Sequence, residues 1–339
     1  MAIRLSILDQ SPIGEGEDAA DALRHTVQLA QRAEQLGFTR FWVSEHHDSD
    51  RLAGSSPEVL IAYLLAKTSR IRIGSGGVML QHYSPYKVAE NFHVLASLEP
   101  GRVDLGIGRA PGGLPRSTRA LQDQASAGGK TLDDKLEELQ QYLRQSRLPA
   151  GGEPQGVKAT PLPPVAPDLY LLGASTGSAE LAARLGVPYV FSQSLTGDPQ
   201  VIADALRIYR TQFRPGTVSR PETMLALTVI LTDTDEEAER LAAAQSKVIK
   251  IRLASGRTVT VRSVEQAEEF GRQAGEPYTL EEKQAVIVHG GRDTVRRKLS
   301  ELRETYGLDE FVVTVSLPLF EQRLRAIEQL HEVLGEQWA

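Results

Sequence analysis

The chain of 339 residues contains no cysteine, which excludes disulfides, thiolate metal sites and cysteine nucleophiles together. Long apolar runs are also missing. No segment supplies the uninterrupted ~20 apolar residues that a membrane helix needs, and Met1 leads directly into the alternating Arg4-Leu5-Ser6-Ile7-Leu8-Asp9 without a basic-then-apolar leader. The expectation is a soluble, unexported, cytoplasmic protein. Positive charge is not in excess: 38 Lys and Arg against 44 Asp and Glu leave a formal charge of -6, and the arginines are scattered among acids. A nucleic-acid partner, which needs a basic face, is not expected. No G-x-S-x-G follows a strand, so a serine hydrolase has no support. The helical H-x-x-x-H spacing is absent too, and the consecutive Glu45, His46, His47 and Asp48 cannot easily converge on one ion; no metal is expected.

What the chain does contain is alternation of short apolar strands with helical periodicity. A strand at 3 to 8 precedes a helix at 18 to 36, where Ala22, Leu23, Val27, Leu29, Ala30, Ala33 and Leu36 recur at helical spacing and Gly37 supplies the stop. The unit repeats with strand 38 to 43 and helix 57 to 67, strand 71 to 74 and helix 84 to 98, and strand 102 to 108 and helix 131 to 145. Strand 169 to 172 follows with helix 176 to 186, then strand 188 to 191 with helix 198 to 213, and strand 223 to 231 with helix 235 to about 252. A helix at 293 to 305, a last strand at 310 to 315 and a helix at 319 to 334 complete the pattern. Strands separated by helices pair in parallel, and eight of them predict an α/β fold of the closed (β/α)8 barrel kind. The reading is one domain over 1–339. It carries two long inserted loops, 109–130 after strand four and 253–290 between strands seven and eight, of the length usual for lids or binding loops.

Chemistry is expected at the strand ends. Phe41-Trp42-Val43 runs into Ser44-Glu45-His46-His47, and because neighbouring strand residues face opposite sides, one imidazole faces a given pocket while the other packs elsewhere. After strand four, Gly106-Ile107-Gly108-Arg109-Ala110-Pro111-Gly112-Gly113 imitates a dinucleotide fingerprint, but its spacing is G-x-G-x-x-x-G and no helix opens at the last glycine. Arg109 is then either an exposed arginine for a large ligand or half of a surface ion pair. After strand five, Gly173-Ala174-Ser175-Thr176-Gly177-Ser178 opens a helix and offers either a phosphate seat or an ordinary Ser/Thr cap. Paired with Arg109 it becomes a monophosphate site. Gly74-Ser75-Gly76-Gly77 after strand three gives room under a bound ring or simply turns the chain, and Ser84-Pro85 caps and opens the next helix, with His82 and Tyr83 either lining the mouth or merely solvated.

Phe41 to His47, Gly101 to Arg109, Leu172-Gly173-Ala174-Ser175 and Val288-His289-Gly290-Gly291 together, in this order and separation, resemble the bacterial luciferase-like flavin monooxygenases over nearly the whole chain. The resemblance implies a (β/α)8 barrel that binds FMN, takes it in reduced form as co-substrate from a flavin reductase acting in trans, and uses O2 to oxygenate a small-molecule substrate. It implies His46 as the imidazole beside the flavin, able to exchange a proton or donate a hydrogen bond, with Glu45 fixing its neighbourhood. Arg109, Ser175 and Ser178 match the positions that hold the FMN phosphate, with Gly173 and Ala174 in the same turn. Ser192 and Gln193 fall beside the ring, and Gln193 replaces a luciferase Trp, which speaks against long-chain aldehyde and light emission. The resemblance further implies a cis bond between Gly76 and Gly77, and a homodimer through Ala62, Leu65, Ala66, Phe92 and Leu95 unless these belong to the core. Two other functions remain open: hydride transfer with a deazaflavin, as in relatives of this barrel, and flavin binding without turnover.

Overall fold

A computed structural model describes residues 4–122, 129–147, 156–195 and 197–338. β1 (Arg4–Asp9) leads to α1 (Ala19–Leu36), β2 (Arg40–Val43) to α2 (Pro57–Lys67), β3 (Arg72–Val78) to α3 (Pro85–Leu98), and β4 (Val103–Ile107) to a short α4 (Pro115–Leu121) and α5 (Leu132–Arg144). β5 (Asp168–Gly173), α6 (Thr176–Leu185), β6 (Tyr189–Ser192), α7 (Pro199–Gln212), β7 (Thr223–Leu231) and α8 (Asp235–Gln245) continue the alternation. Then come β8 (Lys247–Leu253), β9 (Thr258–Val261), α9 (Val264–Ala274), β10 (Tyr278–Gln284), β11 (Ile287–Gly290), α10 (Arg292–Tyr306), β12 (Glu310–Val315) and α11 (Phe320–Trp338).

Local chemistry sets the element ends. Asp18 accepts from the Asp21 N–H while the Asp21 carboxylate accepts from the Asp18 N–H, and Gly37 closes α1 in the left-handed conformation. Thr131 and Asp134 form the same reciprocal cap on α5. β7 has no exposed residue in nine, as a strand covered on both faces should.

The eight strands expected from the alternation close into a parallel barrel in the order β1-β2-β3-β4-β5-β6-β7-β12, with β12 returning to β1. β11 was not anticipated. It lies on the β6 side of β7 and pairs with Thr228–Leu231, above the point where β6 leaves at Ala226.

Side chains fill the lumen in layers. At the floor Arg40 donates to Glu310 through Nε (2.7 Å) and Nη2 (3.1 Å), and through Nη1 to Asp104 (2.8 Å) and the Tyr170 hydroxyl (2.6 Å). Arg72 bridges Asp104 to Asp168, and the Ser6 hydroxyl donates to Glu310. Burial works against the Arg40 charge, but Asp104 and Glu310 more than offset it and hold the guanidinium above its usual range. Above the floor, Trp42, Tyr170, Val190, Met224 and Val312 pack with Leu8, and the Trp42 indole N–H donates to Asp104 (2.9 Å). Higher still, Gly76 stands opposite Gly106 and Ser192 opposite Ala226, so the carboxyl end of the lumen is lined by small residues.

The segment between strands seven and eight departs from expectation. The helix expected to reach about 252 ends at Gln245, and 247–253 forms β8. β8 sits between β10 and β9 in an antiparallel sheet, closed over by α9 with Ile249, Ile251, Leu253, Ala267 and Phe270 as its own small core. The alternation of Ile249, Ile251 and Leu253 with Lys250 and Arg252 is the strand signal that the helical reading overran. In the 109–130 loop, α4 occupies 115–121, and 123–128 lie outside the described residues. Leu65, Phe92 and Leu95, expected at a dimer face or in the core, are core residues, whereas Ala62 and Ala66 are exposed. No helix among the described residues is long and apolar enough to cross a membrane.

Replacing Arg40 by Ala removes the buried charge that Asp104 and Glu310 share and leaves Asp104 to Arg72 and Glu310 to Arg4. The expected cost is about 3–5 kcal/mol of unfolding free energy by urea denaturation; a loss under about 1 kcal/mol would show that the floor does not depend on this charge.

Candidate active site at the carboxyl end of the barrel

The loop after β2 divides its polar groups between two environments. Ser44 Oγ lies 3.0 Å from His46 Nδ1, and the His46 N–H donates to Gly54 O (2.8 Å), so the imidazole is steered from its own strand end. His46 is half-buried. Burial, then His47 beside it, lower the His46 imidazole from 6.5 to about 4, with Glu45 opposing and Arg262 adding to the effect. Glu45 is fully buried and serves other partners: its Oε1 takes His47 Nε2 and the Tyr83 hydroxyl (2.8 Å each) and its Oε2 the Met79 N–H (3.0 Å). Glu45 therefore ties β2 to the end of β3 and orients His47 and not His46. Burial and the Glu45 charge push Tyr83 above its usual range, which keeps it a donor.

Beneath this rim the Gly76–Gly77 peptide bond is cis. A Cβ on Gly77 would stand 2.7 Å from the backbone Gly106 O and Gly108 N, so no side chain fits there, whereas one on Gly76 would press on Leu8 Cδ1 at 2.7 Å and displace that side chain. His82 holds the loop after β4 through Nε2 to Pro111 O (2.8 Å), and burial keeps its imidazole below the ordinary value.

Arg109 is exposed at the end of β4 and makes no hydrogen bond or ion pair with any described residue. Its charge is felt by the buried Tyr189 hydroxyl, which burial raises to about 12 while Ser178, Ser175 and Arg109 each hold it down. The Tyr189 hydroxyl braces the turn after β5, donating to Ser175 O (3.2 Å) and lying 2.8 Å from Ser178 Oγ. Ser175 caps α6 and accepts from the Ser178 N–H (3.3 Å); it and Gly177 are exposed at the helix end. Ser178 is fully buried and donates to Ser175 O (2.7 Å). A Cβ on Gly173 would run into the Ser178 side chain, and Ala174 is half-buried beside it. At the end of β6 Ser192 is half-buried; Gln193 is buried, and its Oε1 has no hydrogen-bond partner among the described residues.

The structure therefore brings His46, Gly76, Ser192 and Gln193 to one end of the lumen, with Arg109 at the end of β4 and Ser175, braced by Tyr189, at the end of β5. Ser44 and Tyr189 were not singled out as site residues from the sequence; Tyr83 was, as lining the mouth or solvated, but its bond to Glu45 was not foreseen. Ser44 was within reach, two residues before His46 and on the same strand face. Tyr83 and Tyr189 act across the fold, which sequence spacing does not show. Among the described residues no group of three His, Asp or Glu is placed to hold a metal ion.

The family model for luciferase-like monooxygenases matches residues 3–309. The chain is 47% identical over 311 residues to the N-acetyl-S-alkylcysteine monooxygenase of Bacillus subtilis, covering 92% of each. Among solved structures, apo-MsnO8 superposes with a TM-score of 0.79 at 34% identity, over 100% of this chain and 99% of that one. Two more distant structures share the fold alone. One is the oxygenating constituent of 3,6-diketocamphane monooxygenase from Pseudomonas putida in complex with FMN, with a TM-score of 0.70 at 17% identity over 100% of this chain and 99% of that one. The other is an F420-dependent secondary alcohol dehydrogenase, with a TM-score of 0.66 at 15% identity over 99% of each chain. With a matching model over most of its length and a relative this similar, the chain belongs to the luciferase-like monooxygenases.

Proposed function

We propose that the protein is an FMN-dependent monooxygenase of the cytoplasm that receives reduced flavin from a separate reductase and uses O2 to oxygenate a small organic molecule. A thioether of the N-acetyl-S-alkylcysteine kind is the first substrate to test, because a relative of 47% identity is named for it. The observation that carries the cofactor reading is the pairing of a small-residue bowl with an acid-free Arg109 beside the exposed end of α6. A planar ring suits the end of the lumen where Gly76, Gly106, Ser192 and Ala226 present little side chain, and the buried Gln193 Oε1 is an acceptor for a ring N–H. A monophosphate suits Arg109, Ser175 Oγ and the free N–H groups at the α6 N-terminus. Ser178, spent on Ser175 and Tyr189, is a positioning residue for that seat.

When bound, reduced FMN supplies two electrons to O2; one oxygen atom enters the substrate and the other leaves as water. The protein's own part is orientation, water exclusion and control of one proton. His46 stays neutral near pH 7 because burial disfavours its charge. Ser44 Oγ lies 3.0 Å from Nδ1, and in the tautomer in which Ser44 donates the ring proton sits at Nε2, where His46 offers a hydrogen bond. Glu45 and Tyr83 keep the loop that carries His46 against β3. A homodimer is proposed through the outer faces of α2 and α3, where Val59, Tyr63, Val94 and Leu98 are exposed.

Titrating the protein with FMN, riboflavin and a deazaflavin tests the cofactor. Arg109→Ala is expected to weaken FMN by roughly tenfold or more and riboflavin hardly at all. Equal losses would remove the phosphate role, and tight deazaflavin binding in place of FMN would replace this reading with hydride transfer.

His46 gives a pH test. Its folded value lies below the unfolded one, so the unfolded chain takes up a proton first as pH falls, and stability present above pH 6.5 is lost toward about 4. The His46 ring resonances are expected to titrate near pH 4, and His46→Gln should flatten the stability slope in that window. A midpoint at or above 6.5 contradicts the neutral-imidazole role.

A further inference from the structure

β7 and β12 carry two threonines, Thr228 and Thr314, that the barrel itself does not use. Leu227, Val229, Val313 and Val315 pack in the core between strands and helices, whereas Met224, Ala226 and Val312 belong to the lumen. Alternation therefore turns Thr228 and Thr314 into the lumen, one step above Ala226 and Val312. The two are register partners on adjacent parallel strands, about 5 Å apart by the ordinary strand spacing. Thr228 is 9% exposed and Thr314 half-buried, and with their neighbours under the helices that exposure opens into the lumen.

The other buried threonines engage the protein: Thr26 donates to Asp9 (2.6 Å), Thr68 to Leu64 O (2.8 Å), Thr223 to Gly307 O (3.3 Å) and Thr232 to Thr234 O (2.8 Å). The Thr228 and Thr314 hydroxyls have no hydrogen-bond partner among the described residues. A hydroxyl kept from bulk water without a partner is costly, and a ligand group that bonds to it removes the cost. In the closed strand order β7 and β12 stand across the lumen from β3 and β4, which carry Gly76 and Gly106. Above the Arg40 floor the inward positions of the eight barrel strands hold no Asp, Glu, Lys or Arg. A carboxylate there would meet no cation, and an ammonium no acid. Each hydroxyl can both donate and accept, so a neutral amide suits the pair, its C=O taken by one and its N–H by the other. Leu8 and Ala226 beneath supply an apolar bed for an alkyl group.

We propose that Thr228 and Thr314 together seat a neutral amide of the substrate on the wall facing Gly76 and Gly106, and so select N-acylated substrates over the corresponding esters. The proposal rests on the monooxygenase reading for placing the flavin ring against the β3–β4 wall, which leaves the β7–β12 wall to the substrate. It adds what that reading lacks: the groups that choose the substrate, on strands whose positions the barrel fixes.

Calorimetric titration of the full chain, loaded with oxidised FMN, against N-acetyl-S-methylcysteine and its analogue with an ester oxygen in place of the amide N–H tests it. The amide should bind about tenfold more tightly than the ester. Thr228→Val and Thr314→Val should each weaken the amide about 3- to 10-fold, and the double variant should bring the two compounds within about twofold. FMN affinity and the Tm of the ligand-free variants should not fall, because neither hydroxyl serves the flavin or the fold, and the Thr→Ser variants should keep the amide preference. Equal binding of amide and ester by the unaltered protein, binding of neither, or undiminished amide affinity in both Val variants overturns the proposal. So does a loss of FMN affinity as large as the loss of amide affinity, or a lowered Tm. Threonine-dependent amide binding without any oxygenation on adding reduced FMN and O2 would instead sink the monooxygenase reading and leave the amide seat standing.

Discussion

Arg40 reaches from β2 across the floor of the lumen to Glu310 on β12 and Asp104 on β4, and those contacts govern what the rest of the barrel can be. Buried charge of this kind is tolerable only when every group is matched, and here Arg72, Tyr170, Trp42 and Ser6 complete the matching. With the floor closed by ions and the middle filled by Trp42, Tyr170 and Met224, the carboxyl end is free to be lined by Gly76, Gly106, Ser192 and Ala226. The space for a ligand is therefore a consequence of how the lower layers are filled. It requires no separate domain.

The strand after the floor shows how one sequence serves two tasks. Alternation sends Trp42, Ser44 and His46 one way and Glu45 and His47 the other. The first set runs up the lumen from Trp42 in its middle to His46 at the mouth; the second, with Tyr83 and the Met79 N–H, clamps β2 to β3. Two adjacent histidines thus have different surroundings, and the one beside the mouth is the one that burial keeps neutral.

The eight barrel strands were legible because apolar runs and helical periodicity repeat without interruption, and element ends differed from expectation by only a few residues in most cases. The insertion was not. Lys247–Leu253 follows a helix, and its charged residues extend the helical pattern well enough to hide a strand of period two, while Tyr278–Gln284 has only Tyr278 and Leu280 as apolar residues, too few for a periodic signal. At the site, residues adjacent to strand ends could be picked out, Arg109 and Ser175 among them. What Glu45 grips and that Ser178 is consumed by its own helix cap and Tyr189 depend on contacts between distant segments, which no spacing encodes.

The central claim is that this barrel transfers one atom of O2 to a small molecule using reduced FMN. The most direct measurement supplies the protein with FMN, a flavin reductase, N-acetyl-S-methylcysteine and 18O2, and reads the product by mass spectrometry. The account predicts a product carrying a single 18O that depends on both the protein and FMN; a product without label, or turnover that proceeds with a deazaflavin in the absence of O2, would contradict it.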